Sequence, residues 1–132
     1  MGSGMSLRNW VRLNVVVFMA YGLGLLAVPD RLMSFAGVTL NPGGILLARL
    51  LAAVLLGNAV MLWYARGDLR SPTFRGLIVG NVLAQVVATA FALYYVVNGT
   101  LNILGLALVA IGLVIGSGWL VLGWLPARAG AR

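Results

Sequence analysis

Very few residues in this 132-residue chain could carry chemistry. The only carboxylates are Asp30 and Asp68, histidine and cysteine are absent, and all nine cationic side chains are arginine. Without histidine the chain lacks the commonest general base, the commonest metal ligand and the usual axial ligand of haem. Without cysteine it has no disulfide, no thiolate nucleophile and no thiolate metal site. Without lysine, Schiff-base chemistry has no anchor. The two aspartates belong to different connections and fall on opposite sides of any four-span arrangement, so they cannot work as an acid–base pair. The residue types point away from catalysis, and no metal is expected.

The polar groups that remain fall into two sets. Arg49 is the most unusual of them: it lies seven residues past Pro42, hence about 10 Å along the helix from its start. A guanidinium at that depth in hydrocarbon costs about 1–3 kcal/mol unless it snorkels or is paired. Tyr21, Asp30, Tyr94, Tyr95 and Asn102 fall near the same outer level. They suggest a pocket around Arg49 that would receive an anionic group of a ligand, lipid or partner. The competing expectation is that Arg49 snorkels to lipid phosphate or ties the neighbouring loop through Asp30. The second set is Asn14, Asn58, Asn81, Gln85 and Ser117, at the inner level. Helical geometry puts Asn14, Phe18 and Tyr21 on one face, and Asn81, Gln85, Ala88, Ala92 and Tyr95 on another. Interhelical carboxamide bonds are common glue in membranes, worth about 0.6 kcal/mol each, and packing is the favoured role for this set. Arg49 and Asn58 are nine residues apart and point to opposite sides of their helix.

The elements that must hold these residues are long and greasy. Apolar residues make up 62% of the chain and charged residues 8%, a balance that leaves a soluble domain of this size with too much exposed apolar surface. Four apolar blocks, at about 10–28, 42–65, 74–97 and 101–125, are each long enough for a bilayer core of about 30 Å. The expected fold is all-α: an integral membrane bundle of four transmembrane helices forming a single domain. Pro29 and Asp30 end the first block, which is too long and too poorly flanked to be a cleaved signal peptide. Asn41 and Pro42 give the second a cap and a first helical residue, and Ser71–Pro72 restarts a helix before the third. Asn98, Gly99 and Thr100 read as a tight helix–helix turn, and Pro126 closes the fourth block. Gly112 and Gly116, with Gly105 and Gly123 near the same face, give the fourth block a smooth stripe suited to helix–helix packing or association.

Arginine placement sets the orientation. With both termini cytoplasmic, Arg8, Arg12, Arg66, Arg70, Arg75, Arg128 and Arg132 lie inside and only Arg31 lies outside, a strong positive-inside asymmetry. The net charge of +7 is thereby explained by topology and anionic headgroups, and no nucleic-acid partner is expected. Arginine-only, alanine-rich usage is associated with G+C-rich bacterial genomes, and the expected location is a bacterial inner membrane.

The run Gly22 to Leu32, the segment Ala48-Arg49-Leu50-Leu51-Ala52-Ala53 and the span end Trp63-Tyr64-Ala65-Arg66 resemble small four-helix bacterial membrane proteins of the DoxX-like kind, over the first half of the chain. Some of those are subunits of quinone-linked oxidoreductases, so the resemblance implies an accessory role; it transfers no functional residue. The expected function is a non-enzymatic accessory or scaffold subunit of a larger membrane complex or a homo-oligomer, with the bilayer, other subunits or further copies as partners. Two alternatives stay open. One is a small oligomeric transporter or channel for an anionic or neutral solute. The other is a lipid-, quinone- or pigment-binding bundle in which Tyr21, Trp10 or Trp119 stacks and Arg49 or Asn58 orients a headgroup.

Overall fold

A computed structural model describes residues 6–124; the expectations for Pro126, Arg128 and Arg132, and with them the C-terminal half of the termini assignment, lie outside these residues. The elements are α1 (Leu7–Ala27), a short α2 (Pro29–Phe35), α3 (Pro42–Ala65), α4 (Pro72–Val97) and α5 (Gly105–Gly118), which runs on into a π-helical segment, Trp119–Trp124. Among the described residues there is no strand. The bundle is all-α. Helices α1, α3 and α4 are long and apolar enough to cross a membrane, and a shorter apolar helix spans Val109–Gly123.

Local chemistry explains most of the boundaries. Ser6 Oγ accepts from the Asn9 amide at 3.3 Å, Asn41 Oδ1 from Gly44 at 2.7 Å and Ser71 Oγ from Phe74 at 3.1 Å. Each cap satisfies a backbone donor left over by the first helical turn and stabilises it by about 1 kcal/mol. Pro42 and Pro72 take the first helical position behind two of these caps, where a missing N–H is harmless. The cap at Ser6 starts α1 three residues before the expected Trp10. At the other ends, Gly37 and Gly99 adopt positive φ, 83° and 73°. The amides of Val38 and Thr100 then return to Met33 O and Tyr95 O at 3.0 and 2.9 Å, closing Schellman motifs.

The fourth apolar block does not become helical at residue 101. Residues 98–104 are consumed by that closing motif and by a clasp at Asn102, so the regular helix begins at Gly105. In the clasp, the Asn102 amide donates to Ala36 O and Asn102 Nδ2 to Phe35 O, both at 3.1 Å. It ties the turn before α5 to the end of α2. We call this the distal end of the bundle, and the opposite one, with the start of α1, the end of α3 and the start of α4, the proximal end.

Helix pairing follows the small residues. Extensive contacts join α1 to α3 and α4 to α5, whereas α3 and α4 touch only locally. Gly22 lets α1 come close to α3: a methyl there would meet Leu56 Cγ at 2.9 Å, and Ala52 and Ala59 are fully buried on the facing side of α3. Close backbone approach of this kind maximises dispersion contact where no water is present to drive association. The two pairs converge on a core at the proximal end, containing Trp10, Val11, Phe18, Leu62, Phe74, Ile78 and Trp119. Phe74 and Trp119 meet there as a tilted aromatic pair with centroids 6.5 Å apart. Much of the outward surface of α3 and α4 is made of exposed large apolar side chains.

Candidate functional site

Three places hold polar groups within the bundle, and the first is the proximal core. Asn14 is buried in it, with Nδ2 donating to Trp10 O at 2.9 Å and Oδ1 accepting from Trp119 Nε1 at 3.2 Å. The bond joins α1 to the π-helical segment. A π turn holds one residue more than an α turn and so rotates the remainder of the helix about its axis, and Trp119 sits at that junction, fully buried. Beside it, half-buried Asn58 donates from Nδ2 to Asn81 Oδ1 at 3.0 Å, and Asn81 Nδ2 donates to Leu77 O at 2.8 Å. This bond spans the sparse contact between α3 and α4. Every carboxamide of the core is thus engaged with protein. Trp10 Nε1 is the exception among the core's polar groups: it is buried without a partner among the described residues, its ring lying against Gly118.

The distal level is built differently from the expected pocket. Arg49 is exposed on α3, flanked by exposed Leu46, Leu47 and Leu50, and makes no hydrogen bond or ion pair among the described residues. Asp30 is exposed in the first turn of α2 and makes no ion pair among them either, so the expected Arg49–Asp30 lock is not formed. Tyr21 is half-buried on α1. Tyr94 and Tyr95 are exposed and pack edge to face on each other, centroids 5.4 Å apart. Asn102 is taken up by the clasp to Phe35 and Ala36, with Oδ1 accepting from Leu104 N at 2.9 Å. Among the described residues no hydrogen bond or ion pair joins Arg49, Tyr21, Asp30 and Tyr95, and Asn102 is held in the clasp. Helix α3 spends its close-packing face, Ala52 and Ala59, on α1, and Arg49, on the flank of that face, stays exposed.

The third place is the α4–α5 contact. A side chain at Gly112 would collide with the Thr89 hydroxyl, and one at Gly116 would meet Gln85 Cβ at 3.3 Å. The glycine stripe is thus occupied by α4 of the same chain. Ser117 is exposed and donates to Val114 O of its own helix at 3.1 Å, so it bridges no helices. Gln85 is half-buried and Thr89 Oγ1 is buried, and neither has a hydrogen-bond partner among the described residues. Both border a groove of about 450 Å³ between α4 and α5.

Two relationships escaped the residue pattern. The Trp119–Asn14 bond had a signal, since both lie at one level, but no residue pattern says that the indole turns toward α1; Trp119 stands at the end of α5, where the π segment begins. Thr89 had none, because a threonine in an apolar helix is unremarkable until glycine faces it. Arg66 over the Trp63 ring, at 3.3 Å from its centroid, is a cation–π contact at the proximal end of α3. Among the described residues no group of acidic, histidine or cysteine side chains could hold a metal ion. Comparison of the chain with protein-family models, with curated proteins and with solved structures finds no match.

Proposed function

We propose that this chain is a non-enzymatic, multi-pass protein of a bacterial cytoplasmic membrane, serving as an accessory or scaffold subunit that docks other membrane proteins or further copies of itself through the outward face of α3. In this topology the proximal end, with Arg8, Arg12, Arg66, Arg70 and Arg75, faces the cytoplasm. The observation that carries the reading is Arg49, a cation unpaired among the described residues, on an otherwise apolar outward face and inside a helix long enough to span hydrocarbon. A partner's anionic group beside it would relieve a charge that these residues leave uncompensated. The likeness of the first half to DoxX-like proteins, some of them subunits of oxidoreductases, points the same way.

A transport path through a single chain has less support. Asn14, Asn58 and Asn81 are bonded to protein in a packed aromatic core, so they do not line a polar route. Native-mass measurement of the full chain in mild detergent tests the docking reading. Association with a second protein or copy, lost in Arg49→Leu and retained in Arg49→Lys, is the expected result. A monomer in every case, with the cellular phenotype of Arg49→Leu unchanged, would leave Arg49 as a snorkelling residue and remove the basis for docking.

A further inference from the structure

Gln85 lies thirteen residues into α4, about 20 Å along the helix from Pro72 and so near the middle of any bilayer it spans. Its carboxamide has two donors and an acceptor, and none is used by the described residues. Water does not satisfy a group at that depth, and phospholipid ester carbonyls stay at the interface. Gln85 borders the α4–α5 groove, whose walls are apolar side chains such as Val86 and Leu113 and whose edge runs along Gly112 and Gly116 where Thr89 and Gln85 pack on them. Gln85 Oε1 lies 3.7 Å from the place a Gly112 methyl would occupy, so the carboxamide rests on a smooth strip of α5. Ser117 borders the same groove, and with its hydroxyl proton given to Val114 O its oxygen is left as an acceptor. The volume, about 450 Å³, falls within the range of about 300–1,000 Å³ typical of small-molecule sites, which pair apolar walls with few polar groups.

We propose that the α4–α5 groove binds a neutral, lipid-soluble molecule carrying a carbonyl group, with Gln85 Nε2 donating to the carbonyl oxygen. The site lies apart from the docking face of α3 and does not depend on it. Hydrogen-bond matching selects the ligand: a bare hydrocarbon chain would fill the groove but leave the carboxamide unsatisfied, and a charged group would be too costly at this depth.

The test uses the full chain in lipid nanodiscs and benzophenone, a diaryl ketone that inserts into neighbouring C–H bonds on irradiation, with adducts mapped by peptide mass spectrometry. Adducts should concentrate on residues around Val86 and Leu113, and excess 2-undecanone should suppress them while undecane does not. Gln85→Leu should weaken labelling of the groove by about three- to tenfold, the worth of one hydrogen bond, and Asn58→Leu should leave it unchanged. Gln85→Asn, which keeps the carboxamide but draws it back by one methylene, guards against misfolding and should show a similar loss with an unaltered helical spectrum. Adducts spread evenly over the outward faces of α3 and α4, equal competition by undecane, or unchanged labelling in Gln85→Leu would overturn the proposal. So would a wild-type dimer that becomes a monomer in Gln85→Leu without ketone-dependent labelling, which would assign the carboxamide to a second copy.

Discussion

Trp119 Nε1 donates to Asn14 Oδ1 at 3.2 Å across 105 residues of chain, joining the first helix to the last inside the proximal core. The bond is buried at both ends, in the core cluster that also holds Phe18 and Phe74. It also satisfies the carboxamide oxygen at the centre of a bundle whose two helix pairs otherwise touch sparingly.

Replacing Asn14 by leucine keeps the volume but strands the indole N–H. Unfolding in detergent, followed by tryptophan fluorescence, should show a loss of about 1–3 kcal/mol, the usual cost of a buried polar group without a partner. An unchanged midpoint would mean that the indole finds another acceptor and that the bond is not what holds the pairs together.

Glycines with neighbours and glycines without should answer differently to the same change. Gly118 lies against the Trp10 ring, whereas nothing lies within 4 Å of a methyl placed on Gly57. Gly118→Val should destabilise the bundle by about 1–3 kcal/mol through overpacking, and Gly57→Val should fall within about 0.5 kcal/mol of the parent. Equal effects of the two would contradict the seating of α5 against α1.

The absence of cysteine makes the chain ready for topology mapping by introduced thiols. Arg70→Cys and Thr100→Cys, placed at exposed positions of the proximal and distal connections, should react with an impermeant maleimide from opposite sides of the membrane, Thr100→Cys from outside intact cells. Reaction of both from one side would rule out α4 as a span.

Much of the fold was legible because its signals are local. Asn41 with Pro42 and Ser71 with Pro72 mark helix starts through the backbone donors that a first turn leaves free, and Gly99 marks an end through its positive φ. The end of α3 at Ala65 and of α4 at Val97 matches the spans expected from apolar block length. The opposition of Arg49 and Asn58 was also readable, since nine residues of helix fix their relative angle whatever surrounds them. The start of α5 was not, because residues 101–104 are as apolar as a helix needs and are kept out of it by a bond from Asn102 to another element.

Sequence by itself determined the course of α1, α3 and α4 to within a few residues and how few groups could do chemistry. Tertiary structure alone decided which side each helix turns inward. The cause lies in composition: α3, α4 and α5 are apolar nearly all the way round, so no hydrophobic stripe tells inside from outside. The decision passes to shape, to Gly22 under Leu56, Gly112 under Thr89 and Gly118 under Trp10. With those fits Asn14 meets Trp119, Gln85 comes to the edge of an open groove and Arg49 stays exposed.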